Sequence, residues 1–141
     1  MAAAAAVAAD RLPRWIYRIA GIYGLLAVIG GYFSEAGVAR DYPPAVTHRE
    51  YFYGFWGVTL AWQLAFVVIS TDPRRYRPLM PVTIVEKLGF FVPAMVLWSR
   101  GQSPPPMIAG AWIDFVLAIL FAVAWFRTAS LQTGDRTIAA A

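Results

Sequence analysis

The chain has 141 residues, of which 60% are hydrophobic and 14% charged, with a formal net charge of +4. Soluble domains carry about 25% charged residues, and a chain this short cannot hide so much apolar surface in one core, so an ordinary soluble domain and a disordered chain are both excluded. Cysteine is absent and His48 is the single histidine, which removes disulfides, thiolate metal sites, cysteine nucleophiles and multi-histidine metal or haem ligation.

A bilayer core of about 30 Å calls for about 20 apolar residues in a helix. Four windows meet this in chain order: Trp15–Phe33, Tyr51–Ser70, Leu79–Trp98 and Met107–Phe126. The composition and these windows predict an all-α integral membrane four-helix bundle, residues 1–141 forming a single transmembrane domain. An amphipathic soluble bundle would need a charged face on each helix, and Tyr51–Ser70 offers none.

Ahead of the first window, Ala2–Ala9 reads as a weakly ordered or surface-lying tail. The window itself spans 19 residues, longer than the about 7–15 of a signal h-region, so it is expected to remain as a span. Ala20, Gly24, Ala27 and Gly31 form a small-residue stripe along it. Gly54, Gly57, Ala61 and Ala65 form another on the second window, and the two stripes are candidates for a close helix–helix seam. Asp72-Pro73 is suited to open a turn after the second window. A helix running unbroken across Arg77-Pro78 is disfavoured. Pro93 should kink the third span, and Pro104-Pro105-Pro106 should make the last connection stiff and extended.

Lys/Arg bias sets orientation. Arg11, Arg14, Arg18, Arg74, Arg75, Arg77, Arg127 and Arg136 fall on one side; Arg40, Arg49 and Arg100 fall on the other. Both termini are therefore expected in the cytoplasm. Trp15, Tyr76 and Trp125 would mark the cytoplasmic interface, and Tyr32, Phe52, Tyr53, Trp56, Trp98 and Trp112 the opposite one. Arg74, Arg75 and Arg77 are candidates for lipid headgroup contact, each contributing about 1 kcal/mol near an anionic leaflet. So short a basic loop speaks against nucleic acid.

Ionisable groups inside spans cost about 2.5–3.5 kcal/mol each and need a reason. The intramembrane polar candidates are Arg18, Glu86, Lys87 and Asp114. Glu86 lies seven residues into the third span, and Asp114 seven residues into the fourth from the opposite side. A rise of 1.5 Å per residue then puts them about 10 Å apart in depth, which disfavours a direct dyad. Arg18 is the expected partner of Glu86, Lys87 is expected to snorkel to the cytoplasm, and Glu86 shares a face with Thr83, Phe90, Pro93 and Leu97. At the other end His48, Tyr51 and Gln63, together with Arg49 and Tyr53, are candidate partners of Asp114. No phosphate cradle, serine-nucleophile elbow or metal motif is present, and no cofactor is implied.

The run Asp72-Pro73-Arg74-Arg75-Tyr76-Arg77-Pro78-Leu79-Met80 with Val85-Glu86-Lys87 resembles small four-span bacterial membrane proteins, and the four-span layout is similar to that of DoxX-like proteins. The resemblance implies fold and location; members of DoxX-like groups are tied to redox or quinone-linked systems. Arginine outnumbers lysine eleven to one, which fits a GC-rich bacterial genome and a place in the bacterial inner (cytoplasmic) membrane. Two functions stay open. One is a non-catalytic accessory or scaffold subunit whose partners are the lipid bilayer and other membrane subunits or further copies of itself. The other is a carrier or binding protein for a lipophilic or protonatable small ligand. No catalytic constellation favours an enzyme.

Overall fold

A computed structural model describes the backbone of residues 2–139 and the side chains of residues 11–129. It contains five helices: α1 (Ala2–Tyr32), α2 (Glu35–Asp41), α3 (Arg49–Thr71), α4 (Met80–Ser99) and α5 (Pro105–Ala139). No strand occurs among the described residues. Among the described residues four stretches are long and apolar enough to cross a membrane: Arg11–Tyr32, Arg49–Thr71, Arg77–Ser99 and Pro105–Ala129. Each extends the window expected from hydropathy by one to four residues at one end or both, because the flanking residues still satisfy their backbone hydrogen bonds within the helix.

The spans alternate in direction. α1 packs along α3, α4 along α5, and α1 against α5, whereas α3 and α4 make no comparably close backbone approach. Arg11, Arg14, Arg18, Arg74, Arg75, Arg77 and Arg127 thus lie at one end of the bundle, here termed the arginine-rich end. The lower half of the interior, near that end, is tightly filled. Tyr17, Phe66 and Phe121 are fully buried, with Tyr17 stacked on Phe121 at 4.4 Å and Phe66 edge-on to Phe121 at 4.9 Å. Ile69, Met80 and Ala124 close the layer. Thr83 donates its hydroxyl proton to the Met80 carbonyl at 2.7 Å, so Tyr17 donates to Thr83 Oγ1 at 2.8 Å and the buried phenol is satisfied.

The α1–α3 seam differs from the expected meeting of two small-residue stripes. On α1, Ala20, Gly21 and Gly24 are buried and Gly31 half-buried, while Ala27 is exposed. A methyl group at Gly24 would run into the Gln63 carboxamide, and one at Gly31 into the Trp56 indole. Most of the α3 stripe does not take part: an added Cβ at Gly54 or Gly57 would meet nothing within 4 Å, and Ala61 is exposed, leaving only Ala65 half-buried. Large α3 side chains fill hollows in α1 instead, which gives each close approach more dispersion contact than two smooth faces would supply.

Local rules explain the connections. Ser34 Oγ donates to the Gly31 carbonyl at 2.7 Å, and α2 follows inside what the sequence presents as a plain polar loop. Glu35 holds α2 to α3, pairing with Arg49 at 2.7 Å and accepting a hydrogen bond from Tyr53 at 2.7 Å. At the exposed end of α2 the Arg40 guanidinium, 2.7 Å from Asp41, holds that carboxyl below its ordinary value. Asp72 Oδ1 accepts from the Arg75 amide at 3.2 Å, and a 3-10 turn at Arg77–Leu79 leads into α4. α4 runs without interruption through Pro93, which lies on its exposed face. Its end is a Schellman turn: Gln102 N donates to Leu97 O and Gly101 N to Trp98 O, both at 2.9 Å, with Gly101 at φ 69°. Two expectations are corrected. Ala2–Ala9, expected as a weakly ordered or surface-lying tail, is helical and continuous with α1, and Pro105 and Pro106 open α5 rather than extending the loop, since a first helical turn needs no amide donors.

Candidate functional site

The helix pairing leaves a gap in the half of the bundle away from the arginine-rich end. All four spans line a cavity of about 260 Å³ there. α1 contributes Tyr23, Gly24, Ala27 and Val28; α3 contributes Phe55, Trp56, Thr59 and Gln63. From α4 come Glu86, Lys87 and Phe90, and from α5 a row from Pro106 to Leu117 that includes Gly110 and Asp114. Its floor is the polar cluster above the Tyr17–Phe66–Phe121 layer. Tyr23, Phe55, Met107 and Ile113 line the cavity and also keep much of their surface exposed, so it reaches the apolar outside of the bundle.

Lys87 organises the floor. It is 4% exposed, and its ammonium lies 3.0 Å from Asp114 Oδ1 and 5.2 Å from the centre of the Phe66 ring. Glu86 is held more loosely, with Oε1 at 3.5 Å from Nζ. Glu86 Oε2 lies 3.3 Å from the same nitrogen, so this carboxylate too is ion-paired, at longer range than Asp114. Burial of three charges is tolerable only because they compensate one another. The Trp56 indole Nε1 is buried without a hydrogen-bond partner.

This arrangement corrects three expectations. Lys87 does not snorkel towards the arginine-rich end; it turns inward and bridges Glu86 and Asp114. The depth difference between the carboxylates is spanned by its four-carbon stem, which an estimate from helix rise alone leaves out. Arg18 is exposed, its guanidinium 5.6 Å over the Trp15 ring, and does not pair with Glu86. Of the suggested partners of Asp114 only Gln63 reaches the cavity. Gln63 is 3% exposed, and its Nε2 donates to the Thr59 carbonyl at 3.2 Å.

His48 and Tyr51 stay exposed outside the cavity, their rings 5.6 Å apart, with His48 Nδ1 3.2 Å from Glu50. Arg49 and Tyr53 are engaged by Glu35. Arg75 is exposed over Tyr76, Arg74 is half-buried, and Arg77 is half-buried with its guanidinium 5.3 Å from the Trp125 ring. Ala27, assigned from the sequence to helix packing, lines the cavity instead, as does Gly24 at the seam. Among residues that the sequence did not single out for a site, Tyr23, Phe55, Trp56 and Thr59 are the important ones. An aromatic at a span end reads as an interface anchor, and only the hollow at Gly31 turns Trp56 inward. Among the described residues no group of three or more potential metal ligands occurs.

No protein-family model, no characterised protein and no solved structure matches the chain. The DoxX-like resemblance therefore rests on the four-span layout alone.

Proposed function

We propose that this protein is a binding or carrier protein for a small lipophilic ligand, which it holds within the membrane. The observation that carries this reading is one largely apolar cavity, lined by all four spans, whose floor holds the charged groups Glu86, Lys87 and Asp114. Charged groups inside a span cost about 2.5–3.5 kcal/mol each and mark binding or transport sites by default. A cavity of about 260 Å³ suits a small ligand, being just below the common range of about 300–1,000 Å³ for ligand sites. A scaffold subunit needs outward-facing surfaces and has no use for an internal polar floor. The arginine bias and the Arg-rich composition support a bacterial cytoplasmic membrane with both termini inside. The cavity would then lie in the external half of the bilayer, with the aromatic layer closing it from the cytoplasm.

Native mass spectrometry of the full chain, released from its own membranes in mild detergent, tests the reading. One small molecule per chain is expected to stay bound in the wild type. Gly110 lines the cavity with nothing within 4 Å of an added Cβ, so Gly110→Leu should fill the space without disturbing the helices and abolish that binding. Equal retention in both forms would overturn the reading. So would a wild-type chain that carries no small molecule and elutes instead in a fixed ratio with another membrane protein, the result the accessory-subunit alternative requires.

A further inference from the structure

We propose that the ligand is a lipophilic cation, an apolar body ending in an ammonium group that Glu86 receives; this rests on the binding reading above. Charge on the floor is the first argument. The polar groups that line the cavity with Glu86 are Tyr23 from α1, Thr59 and Gln63 from α3, Lys87 on α4 and Asp114 from α5. Among the described residues lining the cavity, Lys87 is the only cation, set against two carboxylates. Its shortest bond, 3.0 Å, goes to Asp114, and its ring contact with Phe66 fixes it on that side. Glu86 is held at the longer distances of 3.3 and 3.5 Å. A monovalent cation beside Glu86 balances the second carboxylate in a low-dielectric site, where an anion would add to the excess.

The walls are the second argument. Phe55 and Phe90, 6.0 Å apart on α3 and α4, stand with Trp56 and Tyr23 around the space next to Glu86. Rings on several sides of a carboxylate are the surroundings that favour organic ammonium groups, because each ring face attracts a cation while sparing it a tight hydration shell. The gap between α3 and α4, whose backbones make no close approach, offers such a molecule a way in from the bilayer.

The test compares two probes of equal shape by titration calorimetry on the full chain in phosphatidylcholine nanodiscs, with empty nanodiscs as the blank. Benzyltrimethylammonium carries the charge; neopentylbenzene replaces its nitrogen with carbon. The cation is expected to bind about tenfold more tightly or better, through ion pairing with Glu86 and contact with the ring faces. Glu86→Gln should erase that preference and leave neopentylbenzene unaffected. Lys87→Met should strengthen cation binding by removing the competing ammonium. Equal binding of both probes to the wild type, lost in Gly110→Leu, would overturn the cation inference and leave the binding reading standing. Binding of neither probe would also overturn it, and the binding reading then falls or stands on the mass-spectrometric result alone. Should Glu86→Gln fail to fold, the wild-type preference between the probes decides by itself.

Discussion

Lys87 shows how one side chain can set the character of a membrane interior. An ammonium left alone among apolar helices would be expelled or neutralised; held 3.0 Å from Asp114 and facing the Phe66 ring, it stays buried. Asp114→Asn keeps the shape but removes the charge-assisted bond. It is expected to lower resistance to unfolding in sodium dodecyl sulfate by about 2 kcal/mol, read from circular dichroism against wild type. An unchanged midpoint would mean that Glu86 takes over the ammonium at no cost. The sequence makes Glu86, Lys87 and Asp114 conspicuous, because each is an ionisable group inside an apolar run. It does not reveal their grouping, since the rotamer of a long lysine side chain depends on what surrounds it.

At the scale of elements, glycine positions matter more than glycine content. Gly24 receives Gln63 and Gly31 receives Trp56, whereas Gly54 and Gly57, equally regular in spacing, receive nothing. Spacing identifies a face on which a close approach is feasible, but the partner's side chains decide whether it occurs. Gly24→Ala is expected to destabilise the α1–α3 pair by about 1–3 kcal/mol, because the Gln63 carboxamide must leave its place. Adding Gln63→Ala should recover part of the loss, a non-additivity measurable in the same unfolding assay as a double-mutant cycle. Strict additivity would show that the two residues do not compete for one space. Prolines follow the same logic: Pro105 and Pro106 suit an extended loop and a first helical turn equally well, and Met107 N donating to Pro104 O at 3.1 Å marks the choice made here.

For the whole molecule, the absence of cysteine makes topology directly measurable. Gln102 and Pro78 are exposed at opposite ends of the bundle. With both termini cytoplasmic, a membrane-impermeant maleimide should label Gln102→Cys in intact cells and Pro78→Cys only after lysis; the converse pattern would reverse the orientation. The four spans follow from the sequence alone, because a bilayer demands about 20 apolar residues whatever their neighbours are. The uneven distribution of arginine between the loops is equally a property of the sequence. Tertiary structure decided the rest. It brought α1 against both α3 and α5, left α3 and α4 apart, and thereby opened the cavity and turned Lys87 and Trp56 into it. Membrane helices gain little by burying one apolar face against another. Which faces meet is therefore set by the fit of particular side chains into particular hollows, a property of the assembled bundle that no single helix carries.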